Sequence, residues 1–266
     1  MTATGAAATA RRLRVAVQVQ PQHATYAELR DAVLRAEDAG VDVVHTWDHF
    51  FPLRGDPDGA HLECWSLLAA WAERTERVEL GALVSAIGYR NPDLLADMAR
   101  TVDHISGGRL VLGVGAGWFE RDYAEYGYEF GTAGSRLKDL DASLPIIKRR
   151  WEALNPAPVR GSIPILIGGG GEKVTLRLTA QHANMWNSFG PPETYRHKNQ
   201  VLNDWCAQLN RDPAAIERTV SIGKSNELDR LEDFVAAGAQ HIILEMGAPF
   251  EMTNLKRLLA WRDRQG

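Results

Sequence analysis

The sequence predicts an α/β fold, a single-domain (β/α)8 TIM barrel, on three observations. From Leu13 onward short β-branched runs alternate with helical patterns, which implies parallel strands joined by crossover helices. Eight such units fit into roughly 250 residues, the size of that barrel, and a doubly wound sheet seldom uses so many. The side chains with chemistry to offer fall just after the strands, where such barrels carry their sites.

The first unit shows the logic. In LRVAVQVQ, residues 13–20, side chains alternate, so Val15, Val17 and Val19 share one face and Ala16, Gln18 and Gln20 the other, toward the barrel interior. Thr25 and Glu28 then form a capping box, Leu29, Val33 and Ala36 make the buried stripe of a helix, and Gly40 closes it. The same reasoning predicts strands at 41–46, 78–84, 110–115, 163–167, 185–187, 219–222 and 241–245. Helices are predicted at 64–74, 92–106 with Asn91 as cap, about 137–151, 173–182, 193–209, 229–237 and 254–261. Pro145 should kink or split the helix that contains it. No repeat, low-complexity block or Pro-rich linker marks a second domain, so the barrel takes residues 13–266. The first twelve, MTATGAAATARR, lack the apolar core of a signal peptide and read as a disordered tail.

Composition narrows the partners. The chain is 45% hydrophobic and 24% charged, enough apolar material for one large core. A formal charge of −4 speaks against a nucleic acid or an acidic membrane surface. No run approaches the ~18 to 20 apolar residues that span a bilayer. Cys64 and Cys206 alone suggest neither a disulfide framework nor a thiolate zinc site and fit a reducing cytoplasm. No two histidines and a carboxylate share metal-ligand spacing, so no metal is expected. A small-molecule substrate is the expected partner and a homodimer the expected assembly.

Three strand ends stand out. VVHTWDHFF crowds Trp47, Asp48 and His49 where an apolar strand stops, and an imidazole there can donate to a ligand or exchange a proton with it. The alternative is a local cap and a satisfied core histidine. GVGAG, residues 113–117, has spacing G-x-G-x-G rather than the dinucleotide fingerprint, so its small residues let strands approach or let a flat ring lie on backbone. Gly168, Gly169, Gly170 and Gly171 follow IPILI and precede a helix, which bares N–H groups for an anion and implies a phosphate-bearing ligand. The plain alternative is a tight turn, for which one glycine suffices. His104, His182 and His197 lie in helices and read as structural.

Taken together, GVDVVHTWDHFFP, LGALVSAIGYRNPDLLADMARTVDHISGGRLVLGVGAGWFERDYAEYG and IPILIGGGGEKVTLRLTAQHANMWN resemble the bacterial luciferase-like family of flavin and deazaflavin oxidoreductases, above all its coenzyme F420-dependent branch. The likeness runs from Leu13 to about Ile222. It implies a barrel that holds F420, or FMN, with the ring in the mouth and the phosphate toward the fifth and sixth strands. Asp48 and His49 then take the place of an Asp-His pair that contacts the ring, as catalytic and cofactor-binding residues. The family's non-prolyl cis peptide matches Leu83–Val84. Further cofactor contacts are expected at Ala116, Gly117, Trp118, the four glycines, Trp186 and Asn187. Trp47, Trp118, Trp186 and Phe51 are expected to wall the substrate cavity, with Gln18 and Gln20 as polar orienting groups or an internal network.

The implied activity is hydride exchange between F420 and a small organic substrate, with His49 as proton donor or ring partner. Alternatives are an FMN-dependent monooxygenase, a cofactor-binding protein without turnover, and a non-redox phosphate-sugar isomerase. Two departures matter. Sugar-phosphate dehydrogenases of the F420 branch carry an acidic residue directly after the glycine segment of the fourth strand, where this chain has Trp118, which argues against glucose-6-phosphate oxidation. The link 151–163 is shorter than in relatives, and a barer flank of the substrate mouth is expected.

Overall fold

In the computed structural model, which describes residues 12–265, eight strands close a parallel barrel in chain order. They are β1 (Arg14–Val19), β2 (Val43–Asp48), β3 (Glu79–Ala86), β4 (Leu110–Gly115), β5 (Ile165–Gly168), β6 (Met185–Ser188), β7 (Glu217–Ile222) and β8 (His241–Met246). Around them lie α1 (Tyr26–Ala39), α2 (Cys64–Arg74), α3 (Pro92–Ile105), α4 (Glu120–Tyr126), α5 (Ala133–Ala153), α6 (Thr175–His182), α7 (Pro192–Gln208), α8 (Leu231–Ala236) and α9 (Thr253–Asp263). The expected N-terminal tail lies outside the described residues apart from Arg12.

Alternation along the strands sorts side chains between two cores. Val15, Val17 and Val19 turn outward into the large core shared with the helices, where Leu29, Val33 and Ala36 of α1 meet them. Ala16, Val43, Val111, Leu166 and Ile243 point at the axis and fill a smaller inner layer. Each fully buried aliphatic side chain adds ~1.5 to 3 kcal/mol, so the outer core, with many more of them, supplies most of the hydrophobic stabilisation. The capping box on α1 is present: Glu28 N–H donates to Thr25 Oγ1, Thr25 N–H donates to Glu28, and Gly40 ends the helix at φ 98°.

Several boundaries differ from expectation. α4 has no predicted counterpart, because its seven residues bury only Asp122 and Tyr123 and so show no apolar stripe. α5 begins earlier than predicted, capped by Thr132, and runs unbroken through Pro145. Pro145 stands on the exposed face, where the carbonyl that loses its partner can turn to solvent. The short link after α5 lies on the N-terminal face: Val159 N–H donates to Asp103, and His104 contacts the Ala157 carbonyl. The expected barer mouth is therefore corrected, since a helix-to-strand link sits at the end of the barrel away from the strand tips. Among the described residues no helix is long and apolar enough to cross a membrane.

Candidate active site

A cavity of about 690 Å³ opens at the C-terminal ends of the strands. Every strand contributes to its lining: Gln18 from β1, Trp47 from β2, Leu83 and Val84 from β3, Gly115 from β4, Gly168 from β5, Asn187 from β6, Ser221 from β7 and Glu245 from β8. Its inner end is built on β3. The Leu83–Val84 peptide is cis, the pairing register shifts on both sides of it, and Gln18 Nε2 donates to the Leu83 carbonyl at 2.8 Å.

Glycines shape the bed around Val84. A Cβ on Gly113 would sit 1.9 Å from the Ala82 carbonyl oxygen, one on Gly115 would sit 2.8 Å from Val84 Cγ2, and one on Gly168 would sit 3.0 Å from Val84 Cγ1. Only glycine fits there, and the Val84 methyls pack onto the bare backbone of Gly115 and Gly168. Ala116, Gly117 and Trp118 continue the wall to the rim, where Trp118 is 63% exposed.

The glycine run lines the cavity as one segment. Its amides are not all bare: Gly169 N–H donates to the Asn187 carbonyl, and α6 starts only at Thr175. The run is thus a loop before the helix rather than its first turn. Thr175 also lines the cavity, beside Gly171, and the aliphatic part of Lys198 lies beside Gly170. Lys198 Nζ is held by Glu172 at 2.5 Å. Asn187 gives its Nδ2 to Thr219 and Ser221.

His49 lines the same cavity and is 8% exposed. Its partner is Asp122 on α4: His49 Nδ1 lies 2.6 Å from Asp122 Oδ2, Tyr89 donates its hydroxyl to that oxygen at 2.6 Å, and Phe50 N–H donates to Oδ1. Burial alone would raise the Asp122 carboxyl, but the hydrogen bonds from His49, Tyr89 and Phe50 outweigh it and hold it below the usual carboxylate range. Burial and the same carboxylate push the Tyr89 hydroxyl up, so it stays a donor. An ionised carboxylate only accepts, which places a hydrogen on His49 Nδ1 and leaves Nε2 for the cavity. Trp118 and Phe119 meet the imidazole edge-on at 5.7 and 5.6 Å.

The expectation that Asp48 joins His49 is corrected. Asp48 points away from the cavity, 1% exposed, and pairs with both Nη atoms of Arg90, at 2.5 and 3.1 Å. Consecutive strand residues face opposite sides, so Val43, His45, Trp47 and His49 turn inward and Asp48 turns toward α2. Trp186 fails for the same reason. Met185 and Asn187 face inward, whereas Trp186 is fully buried outside the barrel, stacked on Tyr195 and bonded to the Gly169 carbonyl. Gln20 lies past the end of β1 and packs toward Gly247, outside the lining. Phe51 lies under the Arg121 guanidinium, 4.1 Å away, and is not part of the cavity either.

Sequence reasoning did not single out Asp122, Tyr89, Arg54, Thr175, Ser221 and Glu245. Asp122 was within reach of it, as a carboxylate inside WFERDY right after a strand end; Glu245 was too, as an inward position on β8 in register with Gln18. Trp47 donates its indole N–H to His61 Nε2 at 3.1 Å, and burial, helped by the nearby His49, pushes His61 down to about 4, so it accepts as a neutral ring. Among the described residues no group of three His, Cys, Asp or Glu side chains could hold a metal ion.

A sequence model of luciferase-like monooxygenases matches residues 7–227. The chain belongs to that family. It is similar to an F420-dependent glucose-6-phosphate dehydrogenase of Amycolatopsis mediterranei, 36% identical over 131 residues that make up 48% of this chain and 38% of that protein. The chain thus spans well under half of that relative. It is also 32% identical over 157 residues to a 4-hydroxyprotoasukamycin monooxygenase of Streptomyces nodosus subsp. asukaensis, covering 52% of this chain and 42% of that one. Among solved structures, an F420-dependent secondary alcohol dehydrogenase in complex with an F420–acetone adduct superimposes with a TM-score of 0.80 over 95% of this chain and 98% of the other, at 16% identity. At that identity the likeness is one of fold.

Proposed function

We propose that this family member is an F420-dependent oxidoreductase acting on a small organic substrate. The bed that Val84 makes on the bare backbone of Gly115 and Gly168 carries the reading: with no side chains on the glycines it leaves room for a planar ring, in a cavity whose volume is that of an organic-ligand site. The F420 dependence named for the Amycolatopsis relative supports it. Val84, Gly115, Ala116 and Gly117 would hold the ring, and Gly169, Gly170, Gly171, Thr175 and Lys198 the phosphate. When bound, F420 supplies a carbon centre that accepts or gives up a hydride.

The chain's own residues do the rest. Asp122 and Tyr89 fix the His49 tautomer, so Nε2 can take a proton from a substrate or return one. Trp47, Leu53 and Trp118 keep water from the inner cavity. The Trp118 indole N–H is too weak an acid to transfer a proton, and Asp122 is committed to His49, so glucose 6-phosphate is not assigned as substrate. The homodimer and the cytoplasmic location expected from the sequence belong to the same proposal.

A second reading, an FMN-dependent monooxygenase, is favoured by the Streptomyces relative. Fluorescence titration of the purified protein with F420 and with FMN separates them. Tighter binding of F420 is expected; tighter binding of FMN moves the assignment to the monooxygenase.

A further inference from the structure

One wall of the cavity carries a charge pair that the proposed chemistry does not use. Glu245, the fifth residue of β8, and Arg54, from the loop after β2, both line the cavity and meet through a single hydrogen bond, Arg54 Nη2 to Glu245 Oε2 at 3.0 Å. Their exposures differ sharply: the Glu245 side chain is 22% exposed and that of Arg54 is 65%. The carboxylate is seated on Gly223, whose missing Cβ would lie 2.5 Å from Glu245 Oε2, so a larger residue there would push it away. Among the described residues Glu245 Oε1 takes no hydrogen bond.

Water screens the guanidinium far more than the carboxylate, so this wall presents a net negative potential to the cavity. A partner with spare acceptor capacity and a weakly held counter-ion favours a ligand that donates and carries positive charge.

We infer that Glu245 forms a subsite for the ammonium group of an amine-bearing ligand, and that Arg54 is the internal cation this group displaces. The inference rests on the proposed function only in calling that ligand a substrate. Binding itself requires no cofactor.

Isothermal titration of the full chain without cofactor tests it, with benzylamine, a cation at neutral pH, against benzyl alcohol. The wild type should bind the amine about tenfold more tightly, the worth of one charge-assisted hydrogen bond. Glu245→Gln should erase that preference, and Arg54→Ala should enlarge it by removing the competing cation. These opposite signs are not what a structural ion pair gives, since its loss would act alike from either side. Equal affinities in the wild type, absence of amine binding, or a smaller preference in Arg54→Ala overturns the inference. F420 titration of the same samples is read separately: a wild type that ignores F420 but prefers the amine sinks the cofactor assignment alone.

Discussion

At the N-terminal end of the barrel Arg14, which opens β1, lies 2.5 Å from Glu79 and 3.1 Å from Glu217, and His241 Nδ1 lies 2.9 Å from Glu217. At the C-terminal end His49 meets Asp122, and Glu245 meets Arg54. The residue types are the same, but what remains of their capacity differs. Glu217 has a partner on each oxygen; burial would raise it, yet His241 and Arg14 hold it below the usual range. Burial, with His241 beside it, pushes His45 in the layer above down to about 3 and keeps it neutral. At the mouth His49 Nε2 and Glu245 Oε1 remain available to a ligand. A carboxylate paired on both oxygens at the strand starts stabilises; one with a free oxygen at the strand ends is available for chemistry.

The largest expected effect tests the open end. If His49 Nε2 moves the proton, His49→Ala should slow single-turnover hydride transfer by ~10²- to 10⁴-fold while the melting temperature and most F420 affinity persist. A drop in melting temperature with unchanged turnover per folded molecule would make His49 a core residue instead, and the contrast between the ends would fail.

The closed end should answer in the opposite currency. Glu217→Ala takes the carboxylate from His241 and leaves Arg14 with Glu79 alone, and breaking this partly buried pair from one side costs ~3 kcal/mol, the low end of the buried range. Urea unfolding should show that loss, and cofactor titration of the remaining folded protein should not change. Reduced F420 affinity at full stability would show that the floor also shapes the mouth.

How far the two ends were legible follows from the range of the signals. Strand alternation and helix caps are local, so the barrel, the glycine segments, Trp47 and His49 could be read from the chain. The partner of His49 could not be read from its neighbours, because the contact with Asp122 spans 73 positions. Alternation did hold one unused clue. If Trp47 and His49 face inward, Asp48 must face outward, and the same rule separates Trp186 from Asn187. Glu245 could be placed as an inward position on β8, but its contact with Arg54 spans 191 positions and could not be read locally.

Asp122 offers a smaller effect that links both ends of the argument. Asp122→Asn can no longer accept from both His49 and Tyr89 with full charge, a loss of ~1 to 3 kcal/mol near neutral pH. The wild-type carboxyl titrates lower in the folded chain than in the unfolded one. Its contribution is therefore complete above the ordinary aspartate value, about pH 4, and fades as pH falls below it. Denaturant midpoints of the two proteins should converge in acid and separate above about pH 4. Hydride transfer should slow less than in His49→Ala, because the imidazole stays but its tautomer is no longer held.

The smallest change expected is at the glycine loop, and two substitutions at one position separate charge from bulk. A Cβ on Gly170 would lie 3.4 Å from Ser188 Oγ and 3.7 Å from Lys198 Cε, ordinary contacts, and unlike Gly169 with φ 122° this glycine is not held in the left-handed region. Gly170→Ala should therefore fold and bind F420 nearly as the wild type does. Gly170→Asp adds a negative charge beside the proposed phosphate position and should weaken F420 at least about tenfold, ~1.4 kcal/mol. The loss should shrink at high salt, since the loop is partly open to solvent. Equal effects of Ala and Asp would mean that shape rather than charge matters at Gly170, and an unchanged affinity in both would place the phosphate away from the loop.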